Sequence, residues 1–255
     1  MLRPSLALVL LLASACNNKP AVDPAEQADQ NKKDLANASI RIKDEKFKEA
    51  EEMLGRVLAS DPTNPEALAG MGRVRLGQKQ YDAAVVQLEQ AAAKLPDDAT
   101  VQASLGEAYK KLERHADAAN AYGAAFKADP STGNYGLEQG QALRRAKQLE
   151  NAENVLREVA KVDKQAEFVF TELGDVLREQ GKLDEALKTY MKALIEHAGD
   201  KTAHAGAAQV YELQNNSAKA IDEWSTYIRM DCCSEFSENV AKKHIKALQD
   251  AAAAG

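Results

Sequence analysis

The sequence predicts an all-α protein in which six helix-turn-helix units stack into a solenoid that a C-terminal capping helix closes. Three observations lead to this prediction. Alanine recurs at one position every 34 residues, proline closes the first three periods, and aromatic residues make up only 5% of the 255 residues. A core of aliphatic side chains and alanine suits closely packed helices better than stacked sheets.

The 34-residue period appears as aligned columns of residues. The alanine column consists of Ala50, Ala84, Ala118, Ala152, Ala186 and Ala220. Twelve residues before each alanine stands a small residue, at Ala38, Gly72, Gly106, Gly140, Gly174 and Ala208. Four residues after each alanine stands a large one, at Leu54, Leu88, Tyr122, Leu156, Tyr190 and Trp224. The closing prolines are Pro62, Pro96 and Pro130.

Together these columns resemble the tetratricopeptide repeat (TPR) over residues 31–232. The resemblance implies a scaffold for protein–protein interaction in which helix A of each unit lines a concave groove. It does not by itself identify the partner. The predicted units are 31–64, 65–98, 99–132, 133–166, 167–200 and 201–232.

Unit three shows the physical basis of one repeat. Apolar residues at helical spacing predict helix A over 101–112, and helix B follows over 116–128. Gly106 and Ala118 are predicted to be small because the two helices cross there. A single hairpin cannot bury its apolar face, so stability is expected from stacking between neighbouring units.

The N-terminus has the order of a bacterial export signal over residues 1–15. Arg3 is followed by an apolar run of seven residues and then by three small residues. Residues 12–16 resemble a bacterial lipobox, although Ala13 stands where Leu, Val or Ile is usual. The resemblance implies that Cys16 becomes an acylated N-terminus. The alternative is an ordinary secretory signal.

Multiple acyl chains would anchor the chain stably in a membrane. Asn17 follows the cysteine, and by the familiar enterobacterial sorting rule the absence of Asp there implies the outer membrane, with the protein facing the periplasm. Residues 16–30 are polar, contain two prolines and lack periodicity, which predicts a flexible tether.

The C-terminus predicts a cap for the solenoid. In residues 233–250, apolar side chains form an approximate helical stripe at Phe236, Val240, Ile245 and Leu248. Such a helix would cover the open end of unit six. Residues 251–255 are expected to be a frayed tail.

Composition and motifs argue against chemistry of the chain's own. A net charge of −6 disfavours a generic nucleic-acid binder. No phosphate-binding loop, dinucleotide fingerprint, zinc-protease motif or CxxC pair is present, and the four histidines are scattered. We therefore predict no enzymatic activity, no cofactor and no metal site.

Cys232 and Cys233 are unusual because they stand where unit six would place its proline. Three interpretations remain open: a vicinal disulfide in an oxidising compartment, an intermolecular bridge, or burial as small hydrophobic residues. A metal site with His244 is a fourth, weaker interpretation, since it offers only three soft ligands.

Basic residues recur near the ends of successive helices A. If they stack, they form a basic ridge that could bind an acidic peptide or a carboxylate terminus. The alternative is ordinary solvated charge that complements the helix dipole. The ridge residues are Lys110, Lys111, Arg144, Arg145 and Arg178. The predicted apolar groove floor is Leu35, Ala69, Ala103, Leu137 and Ala205.

The combination of lipoprotein signal, tether and six repeats resembles the pilotin lipoproteins of type IV pilus systems. That resemblance implies a monomeric scaffold that binds a secretin subunit and promotes assembly of the secretin ring. Alternatives are an adaptor of cell-envelope, gliding-motility or peptidoglycan-synthesis machinery, an activator of a cell-wall synthase, or a redox protein using the paired cysteines.

Overall fold

The structure is a computed structural model that describes residues 23–163, 168–231 and 234–254. Within these residues twelve α-helices form six consecutive hairpins, and a turn or a short connection follows each helix. The first six helices are Pro24–Lys43 (α1), Phe47–Ser60 (α2), Pro65–Gly77 (α3), Tyr81–Lys94 (α4), Ala99–Lys111 (α5) and His115–Ala128 (α6). The next six are Gly133–Arg145 (α7), Leu149–Val162 (α8), Val169–Glu179 (α9), Leu183–Glu196 (α10), Lys201–Leu213 (α11) and Ser217–Met230 (α12).

The predicted fold class is confirmed: the described chain is an all-α solenoid of stacked hairpins with a C-terminal cap. Odd-numbered helices are helix A of a unit and even-numbered helices are helix B. Each helix packs on its hairpin partner, and helix B of units one to five also packs on helix A of the next unit. In unit three, α5 and α6 lie within two residues of the predicted spans.

Close packing of the two helices of a hairpin explains the small-residue column. A Cβ atom added to Gly106 would lie 2.9 Å from the ring of Tyr122, and one added to Gly72 would lie 2.5 Å from Leu88 Cγ. Ala118 is fully buried in α6. The small and large columns are therefore complementary parts of one contact, as the sequence predicts.

The turn between helix A and helix B places one residue of each unit in the left-handed region of backbone conformation. These residues are Glu45, Lys79, Glu113, Lys147, Gly181 and Asn215, with φ between 57° and 76°. Hydrogen bonds that close the end of helix A offset the strain: the Gln80 amide donates to the Arg75 carbonyl at 2.8 Å, and the Lys79 amide to Leu76 at 2.9 Å. Because only one of the six is glycine, composition does not reveal this column.

The expected tether over residues 16–30 is wrong in its second half, because α1 already begins at Pro24. Asp23 caps the helix by accepting a hydrogen bond from the Ala25 amide at 2.9 Å, and proline is well tolerated in the first helical turn. Asp34 and Ala38 bury the face of α1 that meets α2. Cys16 lies outside the described residues.

The cap follows the predicted stripe in its second half, where Ile245 and Leu248 pack against the cluster that contains Trp224, and departs from it in its first half. A π-helical turn, Ser237–Ala241, precedes α13, which spans Lys242–Ala254 and therefore continues into the expected tail. Alanine has the highest helix propensity, which accounts for the extension. The buried positions of the cap include Ser237 and Ala241, whereas Phe236 is 39% exposed. The π turn holds one residue more than an α turn and so shifts the buried face.

Candidate functional site

The inner face of the solenoid is formed by helices A. Successive helices A touch one another at α1–α3, α3–α5, α7–α9 and α9–α11, whereas the described helices B do not approach each other comparably. A stack that is closer on one side curves toward that side. Helices A therefore line the concave face, where a groove for a partner is expected.

A concavity with a volume of about 860 Å³ lies across α1, α3 and α5. Leu35, Ala69 and Val101 provide apolar lining, so two of the five predicted floor residues belong to this groove. Exposed residues of α1, including Ala36, form one wall. The groove is thus open and mixed in polarity, since charged residues such as Asp61 and Glu66 line it beside the apolar ones, and it lies in units one to three.

Arg73 of α3 lies at the end of this groove and also borders a second concavity of about 380 Å³. Its Nε is shielded from solvent and has no hydrogen-bond partner. Burial lowers the pKa of the Arg73 guanidinium, against the opposing attraction of Asp98. Sequence reasoning missed Arg73 because it follows the column glycine directly, whereas the predicted ridge lies four and five residues after that glycine.

The second concavity is bordered by three cationic side chains and one carboxylate. Arg73, Lys79 and Lys111 line it together with Glu107. Lys79 and Lys111 are exposed and make no ion pair within the described residues. This region of units two and three is the locally basic part of the concave face.

The ridge predicted in units three to five does not form an uncompensated basic surface. Lys110 Nζ lies 2.7 Å from Glu138 Oε2, and Arg178 Nη2 lies 3.2 Å from Asp175 Oδ1. Arg144 pairs with Glu172 and, at 2.8 Å, with Glu179 Oε1. The carboxylates that pair with Lys110 and Arg144 come from the next helix A, whereas Asp175 lies on the same helix as Arg178.

The ion pairs of Lys110 and Arg144 join neighbouring units and so belong to the stacking interface. Glu172 is only 9% exposed at its side chain, and burial raises its pKa while Arg144 opposes that effect. Arg145 remains exposed without an ion pair among the described residues. The signal that could reveal the pairs is a spacing of 28 residues between cation and carboxylate, which recurs for Lys110 with Glu138 and for Arg144 with Glu172.

A third concavity, of about 420 Å³, lies between α5 and α7 and is polar. Its lining includes Tyr122, Tyr135 and Asn134 together with the Lys110–Glu138 pair. Glu107 also lines this site, so two carboxylates stand against one lysine, and the concavity offers hydrogen bonding without attraction for an anion.

The other predicted site residues lie elsewhere. Cys16, Cys232 and Cys233 are outside the described residues. His244 stacks on Trp224, with ring centroids 5.0 Å apart, and its Nδ1 lies 3.0 Å from Glu212 Oε1. Among residues 23–163, 168–231 and 234–254, no group of three His, Cys, Asp or Glu side chains is arranged to hold a metal ion. In the same ranges, no helix combines the length and hydropathy needed to cross a bilayer.

Several solved structures share this fold. The structure of pilF from Pseudomonas aeruginosa aligns with a TM-score of 0.65 at 14% identity, covering 85% of this chain and 99% of that chain. A TPR protein from Parabacteroides merdae aligns with a TM-score of 0.69 at 16% identity, covering 87% of each chain. At such identities the likeness shows the fold alone.

The TPR protein YrrB, which has an unusual peptide-binding site, aligns with a TM-score of 0.60 at 17% identity, covering 74% of this chain and 97% of that chain. Comparison with curated proteins gives no significant match. Models of the tetratricopeptide repeat match residues 41–108, 104–166 and 171–229, which together exceed two thirds of the sequence. The chain therefore belongs to the tetratricopeptide repeat family.

Proposed function

We propose that this protein is a membrane-anchored scaffold whose concave groove over units one to three binds a segment of a partner protein. The observation that supports this most directly is the 860 Å³ groove, with its partly apolar lining and open walls. A concavity that combines apolar lining with polar and charged groups is typical of an interaction site. A peptide-binding site in the TPR relative YrrB supports the same role. TPR proteins in general are scaffolds without catalysis of their own.

The proposed anchor is an acylated Cys16 in the outer membrane, with the solenoid in the periplasm. Helix α1 starts at Pro24, so seven residues, 17–23, separate Cys16 from the helix. A chain of that length reaches at most about 25 Å when fully extended. The groove, which begins on α1, would therefore be held close to the membrane.

The specific role that we propose is that of a pilotin, with a secretin subunit as the partner. An anchored scaffold raises the effective concentration of a bound subunit at the membrane and so favours ring assembly. The combination of lipobox, tether and six repeats supports this role, and the pilF alignment over 99% of that chain is consistent with an array of the same extent. The alternative is an adaptor of other envelope machinery.

Two variants in the native host test the groove. Ala36→Trp places a large side chain on an exposed groove wall, and Ala93→Trp places the same side chain on an exposed position of α4. After light crosslinking, capture from solubilised envelopes and mass spectrometry, we expect a dominant partner that Ala36→Trp loses and Ala93→Trp retains. Equal recovery by both variants would reject the groove as the binding site.

Two further measurements test the anchor and the role. Cys16→Ser should move the protein out of the membrane fraction, and retention there would reject lipid anchoring. Deletion of the gene should abolish secretin multimers in the envelope. Capture of motility or synthase subunits, with secretin rings intact, would reject the pilotin role in favour of the alternative adaptor.

A further inference from the structure

The solenoid has two edges, one formed by the turns within the hairpins and one formed by the connections that leave each hairpin. At the second edge helix B of a unit ends and the next helix A begins. Four of the eight large apolar side chains that are exposed among the described residues lie there, all in units four to six. We call this set the apolar edge, and it consists of Val162, Phe168, Ile195 and Met230.

The same positions in units one to three are polar or small. One, two and three periods before Val162 stand Ala128, Lys94 and Ser60. The corresponding residues before Phe168 are Asn134, Thr100 and Glu66. The opposite edge carries only two exposed large apolar residues in the described chain, Ile40 and Leu213, and these lie in the first and last units. The apolar edge is therefore a local feature of three successive units and not a consequence of the repeat.

Phe168 combines an exposed ring with an unfavourable backbone. Its φ is 63°, in the left-handed region that bulky residues rarely adopt, and the residue is 48% exposed. Its ring lies against that of His197, with centroids 6.3 Å apart, which joins the start of α9 to the end of α10. Asparagine would fit this backbone better. Folding alone therefore does not account for an aromatic residue here.

The described chain begins on the same side of the solenoid as the apolar edge. Every helix A starts at this edge, and α1 starts beyond it, because Pro24 precedes by seven residues, about two turns, the position equivalent to the start of α3. The segment between Cys16 and Pro24 therefore joins the solenoid from this side. An acylated Cys16 would turn the edge toward the membrane, and the tether would let the array tilt until units four to six touch the lipid.

A lipid surface suits the apolar edge better than a protein pocket does. Ile195 is 83% exposed, and the four side chains form a row along the edge. A bilayer interface accepts such a row because it has no fixed shape. Exposed cations stand in the same segments at Lys161, Lys192 and Arg229, and the exposed acids are Glu158 and Glu196. The slight excess of positive charge is attracted by anionic headgroups.

We propose that the apolar edge rests on the phospholipid surface of the membrane in which Cys16 is anchored. This inference rests on the proposed function, because it requires the acyl anchor on that side of the solenoid. It divides the array into two regions with different tasks. Units four to six lie against the lipid, and the groove of units one to three stays open to the partner.

The experiment uses the acylated full-length mature protein, purified from its native host and reconstituted in vesicles of phosphatidylethanolamine and phosphatidylglycerol. Ile195→Trp places a fluorescent probe on the apolar edge. Leu213→Trp is the matched control, since it places the same probe at an exposed apolar position of the opposite edge. Quenching by brominated lipids is measured, and the unsubstituted chain gives the contribution of Trp224. We expect brominated lipids to quench the added fluorescence of Ile195→Trp and to leave that of Leu213→Trp unquenched.

A second probe, Met230→Trp, shows whether the edge acts as one surface. Adding Ile195→Asp or Phe168→Asn to this variant should remove most of the quenching, whereas adding Leu213→Asp should leave it unchanged. Melting temperatures are measured alongside. Phe168→Asn should keep or raise the melting temperature while it lowers quenching, because asparagine tolerates the left-handed backbone. A purely structural role of Phe168 predicts a lower melting temperature and unchanged quenching.

The outcomes separate the inference from the proposed function. Equal quenching of Ile195→Trp and Leu213→Trp, in protein whose mass shows an acylated Cys16, would overturn the contact with lipid and leave the anchor standing. An unmodified Cys16, in protein that does not float with the vesicles, would overturn the anchor and the inference together. Unquenched probes, with dimers in analytical ultracentrifugation that Ile195→Asp abolishes, would assign the apolar edge to a second copy of the chain and overturn the inference.

Discussion

The contact between Gly174 and Tyr190 can be tested by adding a single methyl group. A Cβ atom at position 174 would lie 2.6 Å from Tyr190 Cε1, and one at Gly206 on the next helix A would lie 2.4 Å from Tyr190 Cζ. The ring is fully buried, and its hydroxyl donates to Asp175 Oδ1 at 2.6 Å and lies 3.3 Å from Arg178 Nε. Tyr190 is therefore fixed between two glycines and held at its tip, so it cannot move aside.

Two opposing effects set the magnitude for Gly174→Ala. Alanine in a helix interior is favoured over glycine by about 1 kcal/mol, whereas overpacking a filled core costs about 1–3 kcal/mol. A displaced ring would also weaken its hydrogen bonds, which contribute about 1 kcal/mol. We therefore expect Gly174→Ala to lower the free energy of unfolding by about 1–3 kcal/mol.

Gly55→Ala is the matched control. Gly55 lies inside α2, and a Cβ atom there would have no neighbour within 4 Å. The same substitution should consequently raise stability by about 0.5–1 kcal/mol. Urea and thermal unfolding, followed by far-UV circular dichroism, measure both variants. Because a repeat array need not unfold in two states, midpoints are compared under identical conditions. Equal gains in both variants would refute the proposed clash with Tyr190.

Three further predictions concern the crossing, the first hairpin and the cap. Ala118 is fully buried, so Ala118→Leu should cost about 1–3 kcal/mol by overpacking, and an unchanged melting temperature would refute the crossing. Hydrogen bonds from Arg56 hold the pKa of Asp34 below its usual 3.8. The pair therefore stabilises the fold fully above about pH 4, and this stabilisation is lost as the pH falls through the pKa of Asp34 in the folded protein. Asp34→Asn should therefore lose about 1 kcal/mol at pH 7 and flatten the acid limb of unfolding; an unaltered acid limb would contradict this. Trp224 is the chain's one tryptophan and is fully buried beneath the cap, so removing residues 234–255 should shift its fluorescence to longer wavelength, and an unshifted spectrum would argue against that packing.

The hairpins were predictable because their determinants recur at fixed spacing. Gly106 and Tyr122 stand sixteen residues apart, and the same pairing of a small with a large residue returns in every unit. The left-handed turn residues could not be predicted in this way, because several residue types adopt that conformation here. Lys147 and Gly181 occupy equivalent left-handed positions, yet they share no chemistry that a sequence column would display.

The charged residues show a different limit. The sequence places Arg144 on helix A of unit four, near the concave face. Whether its charge is available to a ligand depends on the side chains of the neighbouring helix A. Glu172 and Glu179 neutralise it across the stacking interface, and only the spacing of 28 residues between cation and carboxylate carries a trace of this in the sequence. Arg73 is the converse case. Asp98 attracts its guanidinium without an ion pair, and the Nε of Arg73 has no hydrogen-bond partner.

The division of charge along the concave face bears on where a partner can bind. From unit three to unit five, ion pairs such as Lys110–Glu138 use the cations to join one unit to the next. A ligand that competed for these cations would weaken the stack that forms its own binding surface. In units two and three, Arg73 and Lys111 make no such pair, so a ligand can engage them without that cost. The unpaired cations and the 860 Å³ groove thus coincide in the first three units, which favours binding there over binding at the later units.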